Sequence, residues 1–339
     1  MTGQFARVLG RSGIQVSALG LGCWAIGGPW TLNGSPAGWS IVDDAESLRG
    51  LHRALDLGVN FFDTAANYGA GHSERLVGQA VRGRRGEVVI ATKFGYQVDE
   101  PSRTVVAYDG DESSGDVAGR LRRDVEASLG RLGTDYIDVY LLHVWELGVP
   151  RALDAREVLE ALVDEGKIRT YGWSTDRTDA VRAFVASPRC SVVEQQFSVL
   201  DGNDELLALC EEVGLGSMNR GPLGMGVLTG KYAPTSTFPS DDVRHVAQWH
   251  PAFRDGRPTQ DWLDNLAAIR DVLASDGRTL AQGALAWLWA RSPNTLPIPG
   301  FRTEQQVEEN CGALALGPLT AEQMDEIDGL LGRSDSPSP

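Results

Sequence analysis

The stretch that decides the fold is residues 170–218, TYGWSTDRTDAVRAFVASPRCSVVEQQFSVLDGNDELLALCEEVGLGSM. It alternates short apolar runs with segments whose apolar residues recur at helical spacing. The three predicted strands are residues 170–174, 191–195 and 215–218, and the two predicted helices are residues 176–186 and 204–213. Strands that alternate with helices predict parallel pairing through right-handed crossovers.

The same alternation extends over most of the chain. Five further apolar runs predict strands at residues 16–21, 59–62, 88–92, 137–142 and 295–298. Further helices are predicted at residues 45–57, 120–132, 155–165 and 262–274. A total of eight strands favours an α/β fold of the closed (β/α)8 type, a TIM barrel, over an open sheet. We therefore predict one domain over residues 1–333, followed by a disordered tail at 334–339.

Four segments lie outside this repeat. Residues 5–16, with Gly10 and Gly13 near the middle, predict an N-terminal β-hairpin that precedes the first barrel strand. Residues 25–42, 97–115 and 232–258 predict long loops after strands 1, 3 and 7. The carboxyl ends of barrel strands carry the active site in this architecture, and long loops in compact domains are often functional. We expect the three loops to border a binding site.

Composition excludes several classes of function. The 339 residues include 31 Lys and Arg against 46 Asp and Glu, a net charge of −15. A strongly acidic chain is a poor ligand for nucleic acid or for an anionic membrane. The sequence has neither an apolar run of membrane-spanning length nor the apolar core of a signal peptide. Four cysteines without metal or redox spacing predict reduced thiols, no metal site and a cytoplasmic location.

Polar residues end three consecutive predicted strands. Asp63 ends the second strand and Tyr68 follows five residues later, whereas Lys93 and His143 end the third and fourth strands. A charged side chain at the end of an apolar strand must be paired or solvated, because burying it alone is costly. Since neighbouring barrel strands end on the same face, we expect these four side chains to converge in one cavity.

This set of side chains suits the reduction of a carbonyl group. Tyr68 would donate a proton to the forming alkoxide, and a nearby Lys93 ammonium would lower the pKa of that phenol. Asp63 would keep Lys93 charged and oriented, and His143 would hold the carbonyl oxygen. None of these side chains carries a hydride, so the reaction needs a nicotinamide cofactor.

In these segments the chain resembles the aldo-keto reductase family. The segment FFDTAANYGAGHSERLVGQA, residues 61–80, contains Asp63 and Tyr68, and VVIATKF, residues 88–94, contains Lys93. The segment LGRLGTDYIDVYLLHVWE, residues 129–146, contains His143. The segments YGWSTD at 171–176 and RGPLGMGVLTGKY at 220–232 resemble two further family motifs. The resemblance extends over nearly the whole chain.

The resemblance implies that NADPH lies extended across the carboxyl face of the barrel. Ser174, Thr175 and Glu194 match positions that hold the nicotinamide carboxamide, and Arg220 matches a residue that stacks on the ring. Arg302 is the candidate partner of the 2′-phosphate, which favours NADP over NAD. The full set of expected cofactor contacts is Gly22, Cys23, Trp24, Asp63, Ser174, Thr175, Glu194, Arg220, Pro222, Leu223, Gly224, Gly226, Leu228, Lys231, Gly300, Arg302, Gln306, Glu309 and Asn310.

The expected substrate is a small aldehyde or ketone. The residues expected to contact it are Trp24, Trp30, Tyr68, His143 and Trp145, because aromatic walls suit apolar carbonyl compounds. Two alternatives stay open at this point. The chain could be a regulatory barrel that binds NADPH, similar to a channel subunit, or an NAD(P)-dependent sugar or alcohol dehydrogenase that works in the oxidative direction. The sequence leaves the substrate, the direction and the oligomeric state undetermined.

Overall fold

Eight parallel strands surround the centre of the computed structural model, which describes residues 5–107, 117–144 and 147–333. They are β1 (Gly20–Gly22), β2 (Phe61–Asp63), β3 (Val89–Phe94), β4 (Ile137–Leu142), β5 (Ile168–Ser174), β6 (Cys190–Ser198), β7 (Gly216–Arg220) and β8 (Thr295–Pro297). Each pairs with the next in chain order. The ring closes where Gly22 bridges to Gly300, which confirms the predicted barrel.

Helices cover the outside of the barrel. They are α1 (Asp44–Asp56), α2 (His72–Ala80), α3 (Val117–Leu132), α4 (Val149–Asp164), α5 (Thr178–Phe184), α6 (Asp204–Val213), α7 (Val243–Val246), α8 (Gln260–Leu273), α9 (Leu280–Arg291), α10 (Glu304–Leu316) and α11 (Ala321–Leu330). Helices α1 and α9 both pack on α10, so the last helices meet the first one beside the closure of the barrel.

Strand β4 shows why these apolar runs build a barrel. Val139 and Leu141 point into the interior, whereas Tyr140 and Leu142 belong to the core between strands and helices. Both faces of each strand are therefore buried, as an apolar run without alternation requires. A buried side chain of this size contributes about 1.5–3 kcal/mol, so the two layers supply most of the stability of the fold.

The N-terminal hairpin closes one end of the barrel. Its strands, Ala6–Val8 and Gln15–Ser17, pair antiparallel, as the sequence predicts. Leu9, Ile14 and Val16 are buried in the same cluster as the interior residues of β4. Residues 16–21, predicted as one strand, instead divide between this hairpin and β1, because Ser17 turns the chain by donating its hydroxyl to Leu19 O at 2.6 Å.

The loops at the other end have more structure than predicted. The predicted polar loop at 97–115 instead contributes to a hairpin, in which Tyr96–Asp99 pairs with Thr104–Ala107. The second of these strands pairs in parallel with Thr31–Leu32 of the loop after β1. This pairing joins segments about seventy residues apart, so local sequence patterns could not reveal it.

The loop after β7 crosses the mouth of the barrel. It contains the short helix α7 and a small hairpin of Phe253–Arg254 with Arg257–Pro258. Val243 N–H donates to Gly38 O at 2.7 Å, and the Arg244 guanidinium lies 4.4 Å from the ring centre of Trp39. The loops after β1 and β7 are thus held together above the barrel.

Two further observations concern membrane-spanning helices and cysteines. Within residues 5–107, 117–144 and 147–333, no helix has the length and apolar character needed to cross a membrane. All four cysteines are buried free thiols. The tail predicted at residues 334–339 lies outside the described part of the chain, and the assignment of residues 1–333 to a single domain stays a prediction.

Candidate active site

A cavity of about 1230 Å³ opens at the carboxyl ends of the strands. Its wall combines residues that follow β1, β2, β4, β5, β6, β7 and β8 with residues of the β1 and β7 loops. Predicted site residues on this wall are Gly22, Trp24, Trp30, Asp63, Tyr68, His143, Ser174, Glu194, Arg220, Pro222, Leu223, Gly226, Lys231, Gly300, Arg302, Gln306, Glu309 and Asn310. The loops and strand ends therefore converge as the sequence predicts.

Lys93 lies beneath the cavity floor and contacts both Asp63 and Tyr68, two of the predicted catalytic residues. Its Nζ is 2.7 Å from both carboxylate oxygens of Asp63 and 2.9 Å from Thr64 O. It also donates to the Tyr68 hydroxyl oxygen at 3.2 Å. Because this oxygen accepts from Lys93, the phenolic hydrogen stays available to a ligand in the cavity.

A second carboxylate approaches the same ammonium. Glu194 Oε2 is 3.2 Å from Lys93 Nζ, and Glu194 Oε1 accepts from Ser174 Oγ at 3.2 Å. Lys93 shares its three N–H groups among Asp63, Thr64 O and Tyr68, and a side-chain hydrogen bond joins Asp63 to Glu194. The sequence analysis assigned Glu194 to the cofactor carboxamide and did not foresee its contact with Lys93.

Burial and charge set the protonation of this cluster. Desolvation raises the pKa of Asp63 well above its usual range, and the neighbouring Glu194 carboxylate adds to this shift. Burial alone would lower the pKa of Lys93, but Asp63 and Glu194 more than reverse this, so its pKa is raised. Lys93 is therefore a permanent cation at physiological pH, placed against two carboxyl groups.

The pKa values of Tyr68 and His143 keep both groups neutral. Burial raises the pKa of the Tyr68 phenol, although Lys93 opposes the shift. Lys93 lowers the pKa of Tyr68, as the sequence analysis expected, but desolvation raises this pKa by more. Desolvation, together with Lys93 and Arg220, lowers the pKa of His143 well below its usual value. A neutral phenol beside a neutral imidazole can donate a proton to, and orient, a carbonyl oxygen.

Aromatic side chains form the wall beside Tyr68. Trp24 stacks on Tyr68 with ring centres 6.1 Å apart, and Trp39 meets Trp24 edge-on at 5.7 Å. Tyr96 lies edge-on to His143 at 5.4 Å, and Trp30 is buried in the same cluster. Tyr68 therefore faces an apolar surface on one side and polar groups on the other.

Cations gather at the far end of the cavity. Lys231, Arg244 and Arg302 all border it. Lys231 is exposed, and its pKa is lowered by partial desolvation and by the charges of Arg244 and Arg302, which Glu309 opposes. Within the described part of the chain, no carboxylate lies within 4 Å of the Lys231 ammonium. An arrangement of this kind attracts an anion such as a phosphate.

The donor set fits a nicotinamide dinucleotide. Gly22, Gly226 and Gly300 border the cavity, and without side chains they let a ligand approach the backbone there. The cationic end suits phosphates, whereas Ser174 and Glu194, which both border the cavity, suit a carboxamide beside Tyr68. At about 1230 Å³ the cavity has room for such a ligand together with a small substrate.

Four expected cofactor contacts do not reach the cavity wall. The Cys23 thiol is fully buried and directed at Leu21 O, 3.7 Å away, and Leu228 packs in the core. Thr175 is buried, with its hydroxyl accepting from Arg177 N–H at 3.3 Å. Gly224 faces Trp262 rather than the opening. Trp145, expected to contact the substrate, lies outside the described residues.

Sequence analysis missed Asp176, Gln196 and His250, which lie on the wall around the predicted residue Arg220. Arg220 pairs with Asp176 and donates to Gln196 Oε1 at 3.2 Å, so its guanidinium is fixed in place. Gln196 Nε2 lies 3.3 Å from His250 Nε2 on the β7 loop. Asp176 follows β5 by two residues, so the rule used for Asp63 could have identified it. The position of His250 depends on the fold of the long loop after β7, so no local pattern in the sequence could have identified it.

Comparison with known proteins identifies the family. A match to the Aldo/keto reductase family covers residues 18–331. The chain belongs to the aldo/keto reductase family.

Individual relatives agree with this assignment. The chain is 33% identical over 314 residues to the NADH-specific methylglyoxal reductase of Escherichia coli (strain K12), covering 90% of this chain and 92% of the relative. It is similar to the glycerol dehydrogenase of Gluconobacter oxydans, with a TM-score of 0.80, 27% identity and coverage of 99% and 98%. An aldo/keto reductase from Klebsiella pneumoniae, solved with NADP and acetate, gives a TM-score of 0.68, 25% identity and coverage of 99% and 98%.

Membership in the aldo/keto reductase family makes the chain an oxidoreductase with NAD(P)-dependent relatives. The resemblance stated from the sequence is therefore confirmed for the family and for the fold. The enzyme class is confirmed as well, whereas the roles of individual residues stay predictions.

Proposed function

We propose that this aldo/keto reductase reduces an aldehyde or ketone to an alcohol with NADPH, and that Tyr68 is the general acid. The observation that carries the proposal is the contact between Lys93 Nζ and the Tyr68 oxygen at 3.2 Å, inside a cluster with Asp63 that borders the cavity. A regulatory role without turnover would not need this arrangement of buried charges.

Each side chain has a separate task in the reaction. A bound nicotinamide cofactor supplies the hydride. Tyr68 donates its phenolic proton to the oxygen of the substrate, and Lys93 stabilises the negative charge that develops on the phenolate. Asp63 holds Lys93 at 2.7 Å. His143, neutral because of its burial, donates a hydrogen bond to the same oxygen and fixes its direction.

NADPH is the cofactor that we propose. Arg302 borders the cationic end of the cavity beside Lys231 and Arg244, where a 2′-phosphate would find positive charge. The relative from Klebsiella pneumoniae was solved with NADP, which supports the proposal. The methylglyoxal reductase is named as NADH-specific, so both cofactors belong in the assay.

The names of the relatives suggest small polar substrates. One relative reduces methylglyoxal and a structural neighbour is a glycerol dehydrogenase. The second name also favours a test of the oxidative direction, since hydride transfer is reversible. The aromatic wall of Trp24, Trp30 and Tyr96 adds aromatic aldehydes to the range of compounds.

A panel of carbonyl compounds tests the proposal directly. The purified protein is assayed with NADPH and with NADH against methylglyoxal, glyceraldehyde, dihydroxyacetone and benzaldehyde, and with NADP⁺ against glycerol. We expect NADPH oxidation with at least one carbonyl compound. Tyr68→Phe should lower the rate by about 10³-fold, in the range of one lost proton donor, while cofactor binding persists. Tyr136→Phe, remote from the cavity, is the matched control, and equal rates in both variants would refute the role of Tyr68.

A further inference from the structure

A second group of polar side chains borders the cavity, and the reduction mechanism does not use it. Gln196 lies near the end of β6, Asp201 follows that strand and pairs back on it, and His250 lies on the loop after β7. Arg220, at the end of β7, is the register partner of Gln196. We call these four residues the rim cluster.

Two neighbours fix the orientation of the Gln196 amide. Its Oε1 accepts from the Arg220 guanidinium at 3.2 Å, and its side chain also hydrogen-bonds the carboxyl group of Asp201. A guanidinium only donates and a carboxylate only accepts. The amide oxygen therefore serves Arg220, and the amide nitrogen serves Asp201.

His250 has an N–H group without a suitable acceptor. Ala252 N–H donates to His250 Nδ1 at 3.1 Å, and Gln196 Nε2 lies 3.3 Å from His250 Nε2. A neutral imidazole has one acceptor nitrogen, so only one of these contacts is a hydrogen bond. Because Ala252 is fully buried and its N–H must be paired, Nδ1 is the acceptor and Nε2 carries the hydrogen. This hydrogen faces the nitrogen of the Gln196 amide, donor against donor.

A hydroxyl group from a ligand resolves this mismatch. Its oxygen accepts from His250 Nε2–H, and its hydrogen is donated to a carboxyl oxygen such as that of Asp201 on the same wall. His250 is only 2% exposed, so leaving its N–H without an acceptor is costly. Trp249, which is 57% exposed and edge-on to His250 at 5.6 Å, offers an apolar ring to the carbon chain that carries the hydroxyl.

The rim cluster lies near the predicted catalytic groups. Burial lowers the pKa of both His143 and His250, and the charge of Arg220 lowers both further, so one guanidinium is close to both imidazoles. Tyr68 and the rim cluster also border the same cavity of about 1230 Å³. A substrate held by its carbonyl oxygen at Tyr68 can therefore extend toward the rim cluster.

We propose that the rim cluster binds a hydroxyl group of the substrate, so that the chain prefers hydroxylated carbonyl compounds to their deoxy analogues. His250 donates to the hydroxyl oxygen, Asp201 accepts its hydrogen, and Gln196 keeps both partners in place. His250 is then a specificity-determining residue. This inference rests on the proposed function, because it names the substrate class of the same site.

Pairs of aldehydes of equal chain length test the proposal. Values of kcat/KM with NADPH are measured for glyceraldehyde against propanal and for erythrose against butanal. The variants are His250→Phe, which keeps an aromatic ring but lacks the N–H, and His245→Phe, which alters an exposed histidine of the same loop. We expect the unaltered chain and His245→Phe to favour the hydroxylated member of at least one pair by about tenfold, the value of one hydrogen bond to a buried donor.

The loss in His250→Phe should be selective. Its kcat/KM for the preferred hydroxylated aldehyde should fall by about tenfold, mainly through KM, whereas the value for the deoxy partner should change by less than about twofold. His250→Gln carries an amide nitrogen near the position of Nε2, so it should keep most of the preference. Rescue of this kind distinguishes a lost donor from a lost ring.

Two outcomes would overturn the inference alone. Equal losses for both members of a pair in His250→Phe would give His250 a structural role, and equal kcat/KM values for both members in the unaltered chain would remove the preference itself. If the unaltered chain turns over none of these aldehydes and neither methylglyoxal nor benzaldehyde, the proposed function is refuted instead. If His250→Phe does not fold, Asp201→Ala removes the acceptor of the hydroxyl hydrogen and should show the same selective loss.

Discussion

Two buried charge clusters in this barrel have opposite compositions. On the outer side of β4, Asp138 is paired with two guanidinium groups, Arg85 and Arg169, each at 2.7 Å. Its Oδ2 also accepts from Ile90 N–H at 2.9 Å. At the cavity, one ammonium faces two carboxyl groups. The first cluster has cations in excess, and the second has carboxylates in excess.

This difference in composition separates a cluster that stabilises the fold, around Asp138, from one that we expect to act in catalysis, around Lys93. The cations around Asp138 extend toward solvent, with Arg169 half exposed, so water screens whatever charge is left over. The Lys93 cluster is nearly inaccessible to solvent, and its two carboxyl groups border a cavity. The Asp138 cluster contacts only the protein, whereas the Lys93 cluster borders the cavity and donates a hydrogen bond to the Tyr68 hydroxyl oxygen.

The largest expected effect is on catalysis, and it comes from the cavity cluster. Lys93→Met removes the cation that stabilises a developing phenolate, so we expect kcat/KM to fall by 10³-fold or more, on the order of an electrostatic catalytic group. Steady-state assays with the best carbonyl substrate measure the loss. Lys167→Met, at an exposed pair with Glu126, should retain full activity. A loss of less than tenfold in Lys93→Met would contradict the role given to this cluster.

The outer cluster should show the reverse behaviour. Asp138→Ala leaves two guanidinium groups without their carboxylate and one backbone N–H unpaired, so we expect the free energy of unfolding to fall by about 3 kcal/mol. The rate per folded molecule should not change. Urea denaturation and steady-state assays measure the two quantities. Asp164→Ala, at an exposed pair with Arg189, should cost less than about 1 kcal/mol. A loss of activity without a loss of stability in Asp138→Ala would contradict the purely structural role given to the Asp138 cluster.

A pH measurement extends the comparison to the rim of the cavity. Burial, together with Arg220, lowers the pKa of His250 to about 4. Between pH 6.5 and 4 the unfolded chain therefore binds more protons at this residue, and stability falls as the pH falls. The contribution of His250 between pH 7 and pH 5 is about 2 kcal/mol.

His250→Gln should reduce that loss of stability, measured by urea denaturation at both pH values. The control is His52→Gln, since His52 is exposed on α1. If the free energy of unfolding had the same pH dependence in the unaltered chain, His250→Gln and His52→Gln, then the fold would not hold His250 neutral.

The smallest expected effect concerns the cationic end of the cavity. Arg302→Ala should weaken NADPH binding by about tenfold, the value of one charge-assisted contact, and leave NADH binding unchanged. Fluorescence titration of both cofactors measures this difference. Arg254→Ala, an exposed cation in the loop after β7, is the control. Equal losses for NADPH and NADH would assign Arg302 to the pyrophosphate or to the loop rather than to the 2′-phosphate.

The sequence predicted the barrel because its signals are local. Each strand is a short apolar run, and the polar residues that end β2, β3 and β4 mark the catalytic face. Asp63, Tyr68 and Lys93 are in contact as expected, and His143 lies edge-on to Tyr68 at 5.7 Å.

Features that depend on distant pairing could not be predicted in the same way. The contact of Glu194 with Lys93 joins β6 to β3 across the barrel, so no pattern along the chain reports it. The hairpin at Tyr96–Asp99 and Thr104–Ala107 is stabilised by pairing with the β1 loop. The raised pKa of Tyr68 also needs the structure, since it depends on how completely the phenol is desolvated.

The bridge between Gly22 and Gly300 closes the barrel by joining the first strand to the segment that follows the last strand. Beyond the Gly22 N–H bond to Pro299 O, little backbone pairing joins the first strand to the last. Both glycines also border the cavity, so a ligand bound at this position would contact the first and the last strand of the barrel at once. Binding of such a ligand to the closed barrel would stabilise the contact between β1 and β8, so separation of these two strands would become rarer as the ligand concentration rises.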